Sequence, residues 1–373
     1  MKVGFILPHT QEEFGITTDE EYAEHDGYEH KYAKLINKMG HEATVYYLSH
    51  RGGFSEFTHK YGHRVVRVPV SISFGIGRQV SFPLLERIKR DKQDIYHIFS
   101  YYALQYDFFA LWCFMNGMPF VAQMHGGGRL PNYLLRYPFL LLTLRLAKNV
   151  LYVRPDEEKN LRRLFVKGVF TPNWVDESVY RDMGRERKEN SLLFVGNISN
   201  EQRRKDKGID VLIRAFIKAK EKNPKLELSI VGRYEKSWAE NLCIDGIRLL
   251  GHVTTERLVE EYNTCCACVF PSRFEAFPLV ALEALACGAP AIITEAFGYA
   301  KLLKNEGYGL VVPIDDCEAL TSKILSVVED ARERKKNVKI GRRVIKNHFD
   351  EEAVGKKLIE IYKKVLGVYG MEG

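Results

Sequence analysis

Residues 271–294, PSRFEAFPLVALEALACGAPAIIT, carry two carboxylates in a stretch that is otherwise largely apolar. Glu275 precedes a helical pattern, and Glu283 lies within that pattern between Leu282 and Leu285. A surface helix accounts for Glu275, because the helix dipole favours an acid near the N-terminus, but it does not account for an acid on an apolar face. The spacing alone leaves two interpretations open, a solvated helix start and a loop that binds a polar ligand.

The strand pattern ACVF at 267–270 comes directly before this stretch, so the order is strand, loop and helix. In open parallel sheets, ligands bind beyond the carboxyl ends of the strands, where helix N-termini point. We therefore predict a binding edge at Phe277, Pro278 and Leu279, with the backbone N–H groups of Phe277 and of 279–281 suited to a phosphate. Carboxylates on both sides of a phosphate site match a nucleotide sugar, which has phosphates in the middle and hydroxyls at both ends.

Short apolar strand patterns alternate with helical patterns along the chain, which is typical of doubly wound α/β proteins with parallel sheets. The strand patterns lie at 2–7, 43–48, 64–68, 95–98, 120–124, 149–153, 192–195, 226–231, 247–250, 267–270, 291–294 and 309–312, and helical patterns include 28–38, 156–164, 210–220, 255–262 and 279–286. The charged stretch RDMGRERKENS at 181–191 lacks periodicity and indicates a linker. We predict one Rossmann-like domain over residues 1–180 and a second over residues 181–345.

Composition excludes several classes of protein. The chain has 373 residues, of which 46% are hydrophobic and 28% charged, as in an ordinary folded protein with room for two domains. It begins MKVGFIL, which indicates a first strand rather than a signal peptide, and no apolar run approaches the ~18 residues of a membrane span. The seven cysteines, without a signal peptide, favour reduced thiols and a cytoplasmic location. Cys265, Cys266 and Cys268 fit a buried strand better than a zinc site.

The formal net charge is +7, and residues 51–150 are the clearly basic part of the chain. Such a region fits nucleic acid, an anionic membrane surface or phosphorylated substrates. No nucleic-acid-binding motif accompanies the basic residues, so no nucleic-acid partner is predicted.

Several further segments resemble glycosyltransferase family 4, a retaining family with the GT-B fold and an E-x7-E segment like the one at 275–283. The resemblance covers about the whole chain and is more specific in the second half. The matching segments are FVG at 194–196, KGIDVLI at 207–213, LSIVG at 228–232, Gly251, Leu258, Tyr262, VFPS at 269–272, GAPAI at 288–292 and GLVVP at 309–313, preceded by Gly27, Glu29, Leu35, GHE at 40–42, HGG at 125–127 and PN at 172–173. The resemblance implies two Rossmann-like domains that face each other across a cleft, with the second binding the donor.

The resemblance also implies a role for five residues. Glu275 would hold hydroxyls of the donor sugar, Glu283 would bind the ribose, and Lys207 would pair with the diphosphate. His125 would lie near the reacting sugar carbon, and Gly27 would let its loop approach the donor phosphate. From the residues alone, Gly27 fits a helix-entry turn equally well.

The chain departs from the family pattern in its phosphate clamp. Asn197 stands where the family commonly has Arg, and the loop that follows carries Arg203, Arg204 and Lys205. One of these cations would replace the missing arginine, unless the run is simply solvated. Lys301 and Trp174 also differ from the family pattern, so the resemblance does not specify how the acceptor binds.

The resemblance further implies a reaction without metal or cofactor. No D-x-D motif occurs, and the nearest pattern is Glu24-His25-Asp26. Lys207 and helix dipoles would stabilise the departing nucleoside diphosphate, which would assist deprotonation of an acceptor hydroxyl attacking from the same face. The alternative is a non-catalytic relative that binds a nucleotide sugar or a glycan through a decayed clamp. The base, the sugar and the acceptor are not specified by the sequence.

Two segments outside the site carry expectations of their own. The helical pattern at 351–366 is predicted to pack back on the N-terminal domain, as the family resemblance implies. Segment 129–148 combines leucines and aromatics with Arg129, Arg136, Arg145 and Lys148. It fits either a packed helix or an anionic membrane surface that presents a lipid-linked acceptor, so we expect a cytoplasmic protein with weak peripheral membrane contact.

Overall fold

The computed structural model describes residues 1–75, 77–124, 139–155, 157–275 and 277–368. The chain divides into two compact units, of which the first comprises Met1–Pro172 together with the C-terminal segment that begins at Val354. The second unit is Asn173–Ala353. The division falls after Pro172, whereas the sequence placed the domain boundary after residue 180.

The first unit is built on an eight-stranded sheet in the order β10-β9-β8-β7-β1-β2-β4-β3. Its neighbours pair in parallel except β3, which is antiparallel to β4. The strands are β1 Lys2–Thr10, β2 Glu42–Ser49, β3 Ser55–Thr58, β4 Arg64–Pro69, β7 Ile95–Phe99, β8 Phe120–Met124, β9 Asn149–Tyr152 and β10 Gly168–Phe170, while β5 Ile72–Ser73 and β6 Gln79–Val80 form a separate ribbon. The helices are α1 Asp19–Glu24, α2 Tyr28–Lys38, α3 Phe82–Asp91, α4 Leu104–Met115, α5 Leu140–Leu146 and α6 Glu157–Arg163. The central strands are continuous apolar runs because helices cover both faces of a parallel sheet.

The second unit contains a six-stranded, fully parallel sheet in the order β13-β12-β11-β14-β15-β16. Its strands are β11 Ser191–Val195, β12 Glu227–Val231, β13 Ile247–Gly251, β14 Ala267–Phe270, β15 Ala291–Thr294 and β16 Val311–Val312. Its helices are α7 Glu201–Asp206, α8 Ile209–Lys222, α9 Lys236–Glu240, α10 Thr255–Thr264, α11 Val280–Ala286, α12 Ala300–Asn305, α13 Cys317–Glu329 and α14 Ala331–His348. The sequence-based prediction of α/β units with parallel sheets is confirmed.

The last helix, α15 (Glu351–Leu366), packs on the first unit from Val354 onward. Its buried face includes Leu358, Ile361 and Tyr362, and the Tyr362 hydroxyl lies 2.7 Å from Nδ1 of buried His97 on β7. Gly355 allows the close approach, because a Cβ there would lie 2.9 Å from a methyl group of Leu35.

The charged linker is anchored to the second unit. The Arg187 guanidinium donates to the carbonyl oxygens of Tyr262, Cys265 and Cys287 at 2.7–3.0 Å. A cation at helix C-termini compensates their partial negative charge, so part of the segment that composition marks as solvated is held in place. No helix in the described part of the chain is long and apolar enough to cross a membrane.

Candidate functional site

The site lies at the carboxyl end of β14, where the chain leaves the sheet as Pro271-Ser272-Arg273 and reaches Glu275. The Glu275 side chain is only 9% exposed, and its Oε1 accepts hydrogen bonds from the Ser272 hydroxyl at 2.7 Å and from Lys207 Nζ at 2.6 Å. Thr294, at the end of β15, fixes the loop by donating from its hydroxyl to the Ser272 carbonyl at 2.5 Å. The predicted sugar-binding carboxylate and the predicted phosphate-binding cation are therefore in direct contact.

Lys207 is positioned by a tight turn between two helices. It caps the C-terminus of α7, and Gly208 then adopts a left-handed conformation, with φ of 62°, before α8 begins. A Cβ on Gly208 would lie 2.0 Å from the Pro271 carbonyl oxygen. Only glycine allows the turn that follows Lys207 to approach the end of β14 this closely. This close approach explains why glycine follows lysine in the KGID segment.

Arg273 ties the same loop to the start of α8. Its guanidinium binds both carboxylate oxygens of Asp210 at 2.7 Å and Asp315 at 2.6 Å. Arg273 lowers the pKa of Asp210, chiefly through these hydrogen bonds. Sequence reasoning missed this bidentate pair, which holds the loop that carries Glu275.

Glu283 lies in the first turn of α11 and is held by tyrosines. The Tyr262 hydroxyl donates to its Oε2 at 3.2 Å. Burial, and then the charge of Glu283, raise the pKa of the Tyr180 hydroxyl. Tyr180 and Tyr262 therefore stay neutral donors that orient the carboxylate, and no sequence pattern pointed to Tyr180.

The predicted phosphate-binding edge differs in part from expectation. Phe277 is buried and packs its ring against Tyr299 and Phe349, so its side chain belongs to the core, and the Pro278 carbonyl accepts from the Tyr299 hydroxyl at 2.6 Å. Leu279 is the N-cap of α11 and supplies no side-chain cap. Within the described residues no side chain caps the first turn of α11, so its backbone N–H groups are suited to an anion.

The candidate clamp residues behave differently from one another. Asn197 uses its Oδ1 to accept from the Ser199 N–H at 3.1 Å, which shapes the turn after β11. The expected loop at 201–206 is instead the short helix α7, because Asn200 caps its N-terminus. Arg204 is paired with Glu235 at 3.0 Å, whereas the exposed Arg203 guanidinium makes no ion pair within the described residues. Of the two arginines, only Arg204 is therefore neutralised by an ion pair within these residues.

Two of the predicted site residues belong to the first unit. Gly27 is the N-cap of α2 and lines a cavity of about 370 Å³ with His9, Asp26 and other residues. A Cβ on Gly27 would lie 2.4 Å from a Glu29 carboxylate oxygen, so any other residue there would have to displace the buried Glu29 side chain. His125 and the glycines after it lie outside the described residues.

Of the three cysteines predicted to lie in a buried strand, only Cys268 does, and Cys265 and Cys266 are buried just before it. Cys265 precedes β14 and Cys268 lies in it, both buried, with their sulfur atoms 3.6 Å apart. Burial raises the pKa of Cys266 and of Cys268. Neutral thiols of this kind are inert core side chains.

The chain is similar to known glycosyltransferases in sequence and in structure. Residues 30–179 match the family model described as Glycosyltransferase Family 4, and residues 177–344 match the model described as Glycosyl transferases group 1. An uncharacterized glycosyltransferase of Methanocaldococcus jannaschii is 29% identical over 196 residues, covering 51% of this chain and 49% of that protein. A phosphatidyl-myo-inositol mannosyltransferase of Mycolicibacterium smegmatis is 26% identical over 251 residues, covering 61% of this chain and 62% of that protein. The chain thus spans about half to two thirds of the length of these relatives.

The solved structure of Anabaena HepE, in complex with UDP and glucose, superposes with a TM-score of 0.65 at 15% identity. The match covers 98% of this chain and 100% of that one. The fold is GT-B. The chain belongs to glycosyltransferase family 4.

Proposed function

We propose that this protein is a retaining glycosyltransferase that moves a hexose-type sugar from a nucleoside-diphosphate donor to a hydroxyl acceptor on a glycan, a lipid-linked molecule or a small molecule. The contact between Lys207 and Glu275 is the observation that carries the proposal. In a nucleotide sugar, one glycosidic oxygen joins the diphosphate to the sugar ring, so a cation for phosphate and a carboxylate for sugar hydroxyls must be neighbours. The HepE structure with UDP and glucose, a match in fold, supports the same class of donor.

In this proposal the chain's own groups replace a metal. Lys207 and the start of α11 stabilise charge on the departing diphosphate, and Arg203 supplies the clamp that Asn197 does not. Glu275 orients the sugar, and His125 acts near the reacting carbon. The acceptor hydroxyl attacks from the face that the leaving phosphate vacates and gives its proton to that phosphate. Attack from the same face retains configuration. Adding Mg²⁺ or Mn²⁺ should therefore leave the transfer rate unchanged.

The second candidate function is non-catalytic binding of a nucleotide sugar or glycan, which the engagement of Asn197 in a turn favours. Thermal unfolding of the purified protein with UDP-, GDP- and ADP-sugars identifies the donor, and product analysis then tests for transfer or donor hydrolysis. Stabilisation by a donor with neither transfer to any acceptor nor hydrolysis of the donor would favour the binding protein.

Glu283→Ala should weaken binding of the nucleoside diphosphate by ~1–3 kcal/mol, the usual range when a buried hydrogen-bonding group is left unmatched. Titration calorimetry with the identified nucleoside diphosphate measures the effect. Tyr262→Phe is the matched control, because it removes only the hydroxyl that holds the carboxylate and should cost less. If Glu283→Ala binds the nucleotide as tightly as the unmodified chain, Glu283 does not bind the ribose.

We also propose a cytoplasmic protein with weak peripheral membrane contact through the first unit. Part of the predicted segment, residues 129–138, lies outside the described residues, but the part that follows exposes Phe139 and Leu142. α4 exposes Phe114 and Met115, and Phe114 lines a cavity of about 540 Å³ together with Arg145, Lys148, Lys167 and other residues. Exposed aromatic and aliphatic side chains next to cations suit an anionic lipid surface, and the mannosyltransferase relative is named for a lipid acceptor.

Co-sedimentation with vesicles that contain an anionic phospholipid at low salt should show reversible binding. Lys148→Gln with Lys167→Gln should weaken it about 10–30-fold, since each cation near such a surface contributes about 1 kcal/mol. Lys222→Gln with Lys225→Gln, which removes the same charge from the second unit, is the control. Equal binding by the two double variants would contradict the proposed membrane contact and favour a cytoplasmic protein without it.

A further inference from the structure

Three histidines of the first unit meet where α2 packs on the β3–β4 hairpin. His30 lies in α2, and His59 and His63 lie in the turn that joins the two strands. All three are buried, with exposed fractions of 0%, 2% and 1%. Histidine is seldom buried in such a group without a reason, because imidazole is polar and must be satisfied.

The ring nitrogens are close enough to share one ligand. Nδ1 of His30 lies 2.9 Å from Nε2 of His63, and one potential ligand nitrogen from each of the three residues lies within 4.8 Å of the others. Only one nitrogen of the His30–His63 contact can carry the proton, so the other directs a lone pair at it. An ion bound at about 2.0–2.1 Å from both would need these two nitrogens to separate by only a few tenths of an ångström.

The ring nitrogens of His30 and His63 that face away from their mutual contact also fit a shared ligand. Nε2 of His30 and Nδ1 of His63 have no hydrogen-bond partner within the described residues. Nε2 of His30 lies 3.7 Å from Oε1 of Glu29, and that oxygen accepts from the buried Tyr22 hydroxyl at 3.1 Å. When an ion binds through Nδ1, the remaining proton of His30 must sit on Nε2, facing Glu29. A carboxylate behind a metal-binding histidine is the usual arrangement.

We propose that His30, His59 and His63 bind a divalent transition-metal ion of the zinc class, with Glu29 as a positioning residue. Neutral imidazoles select Zn²⁺, Co²⁺, Ni²⁺ or Cu²⁺ over Mg²⁺ and Ca²⁺, which prefer oxygen ligands. The ion would lie in the first unit and has no role in the transfer chemistry proposed above.

Binding requires one ring to turn. The three rings are nearly parallel, with interplanar angles of 13°, 17° and 25°, whereas ligands of one ion point at it from different directions. His59 places Nε2 2.9 Å from the His25 carbonyl oxygen and accepts from the Tyr61 N–H at 3.2 Å through Nδ1. We expect His59 to rotate and to release the His25 carbonyl when the ion binds.

Cobalt titration of the full-length chain, after treatment with a chelator and desalting, tests the proposal. One Co²⁺ per chain should bind and give the visible absorption of a four-coordinate site, without a thiolate charge-transfer band. Absence of Co²⁺ binding by the unmodified chain, or a thiolate band showing that the ion sits at the cysteines, would overturn the proposal even if the variants fail to fold.

Variants then assign the ligands. His59→Gln and His63→Gln should each abolish the visible band, and Glu29→Gln should weaken Co²⁺ binding about 10–100-fold. His252→Gln, which changes an exposed histidine of the second unit, is the control and should bind like the unmodified chain. A visible band retained in folded His63→Gln would contradict the assignment.

Discussion

Glu275→Gln should reduce transfer about 100–1000-fold while the nucleoside diphosphate binds at least as tightly as before. The fall in rate is the usual cost of removing one preorganised polar group from a reacting centre. The binding of the diphosphate should not suffer, because Glu275 now neutralises Lys207 at 2.6 Å and the amide leaves that charge for the phosphate. Steady-state transfer and calorimetric titration on the same preparation measure the two effects.

Ser272→Ala is the matched control for this variant, since it removes the other hydrogen bond to Oε1 but keeps the carboxylate. It should retain most of the activity. A Glu275→Gln protein whose nucleotide affinity falls as far as that of Glu283→Ala would contradict the separate sugar and ribose roles.

Ending the chain after Asp350 should lower the unfolding temperature of the first unit by more than about 10 °C and abolish activity. The change removes Val354, Leu358, Ile361 and Tyr362, all buried against the first unit. Each buried apolar side chain contributes ~1.5–3 kcal/mol, and in a unit of this size ~1 kcal/mol shifts the unfolding temperature by about 2–4 °C. Calorimetry measures the fall in the unfolding temperature. Phe349, which packs on Phe277 in the second unit, is kept so that the donor side is not disturbed.

Tyr362→Phe isolates one contact of this helix. It removes only the hydroxyl that lies 2.7 Å from His97 Nδ1, so the loss should be about 1 kcal/mol. A shortened chain as stable and as active as the full one would show that α15 is dispensable.

The strands that positioned the site could be predicted because each is a short apolar run bounded by turn residues. Glu275 and Lys207 were placed in one site by resemblance, and neither hydrophobic periodicity nor spacing predicts a contact between residues from different loops. Asn200 was missed as a helix cap, since a charged run looks solvated whether or not it forms one helical turn. The hydrogen bonds of Arg187 were also missed, because their acceptors are backbone carbonyl oxygens, which a sequence pattern does not identify.

The histidine group shows the same limit in the first unit. His59 and His63 share a turn, but His30 joins them only through the packing of α2 on a hairpin that the sequence did not predict. β3 alternates half-buried and exposed positions over four residues, too short a pattern to separate from a loop. A tertiary contact therefore decided the chemistry of this group.

The ion pair between Lys207 and Glu275 bears on how the proposed enzyme empties its site after each turnover. An intact donor offers phosphate to Lys207 and hydroxyls to Glu275, so opening the pair leaves neither group unmatched. The spent nucleotide offers only phosphate, and a carboxylate that is 9% exposed would then lose its counter-charge, at about 1–3 kcal/mol. When Lys207 and Glu275 pair again, Glu275 competes with the spent nucleotide for Lys207 and hastens release of that nucleotide. We therefore expect the nucleotide product to inhibit the enzyme less than the affinity of the donor would suggest.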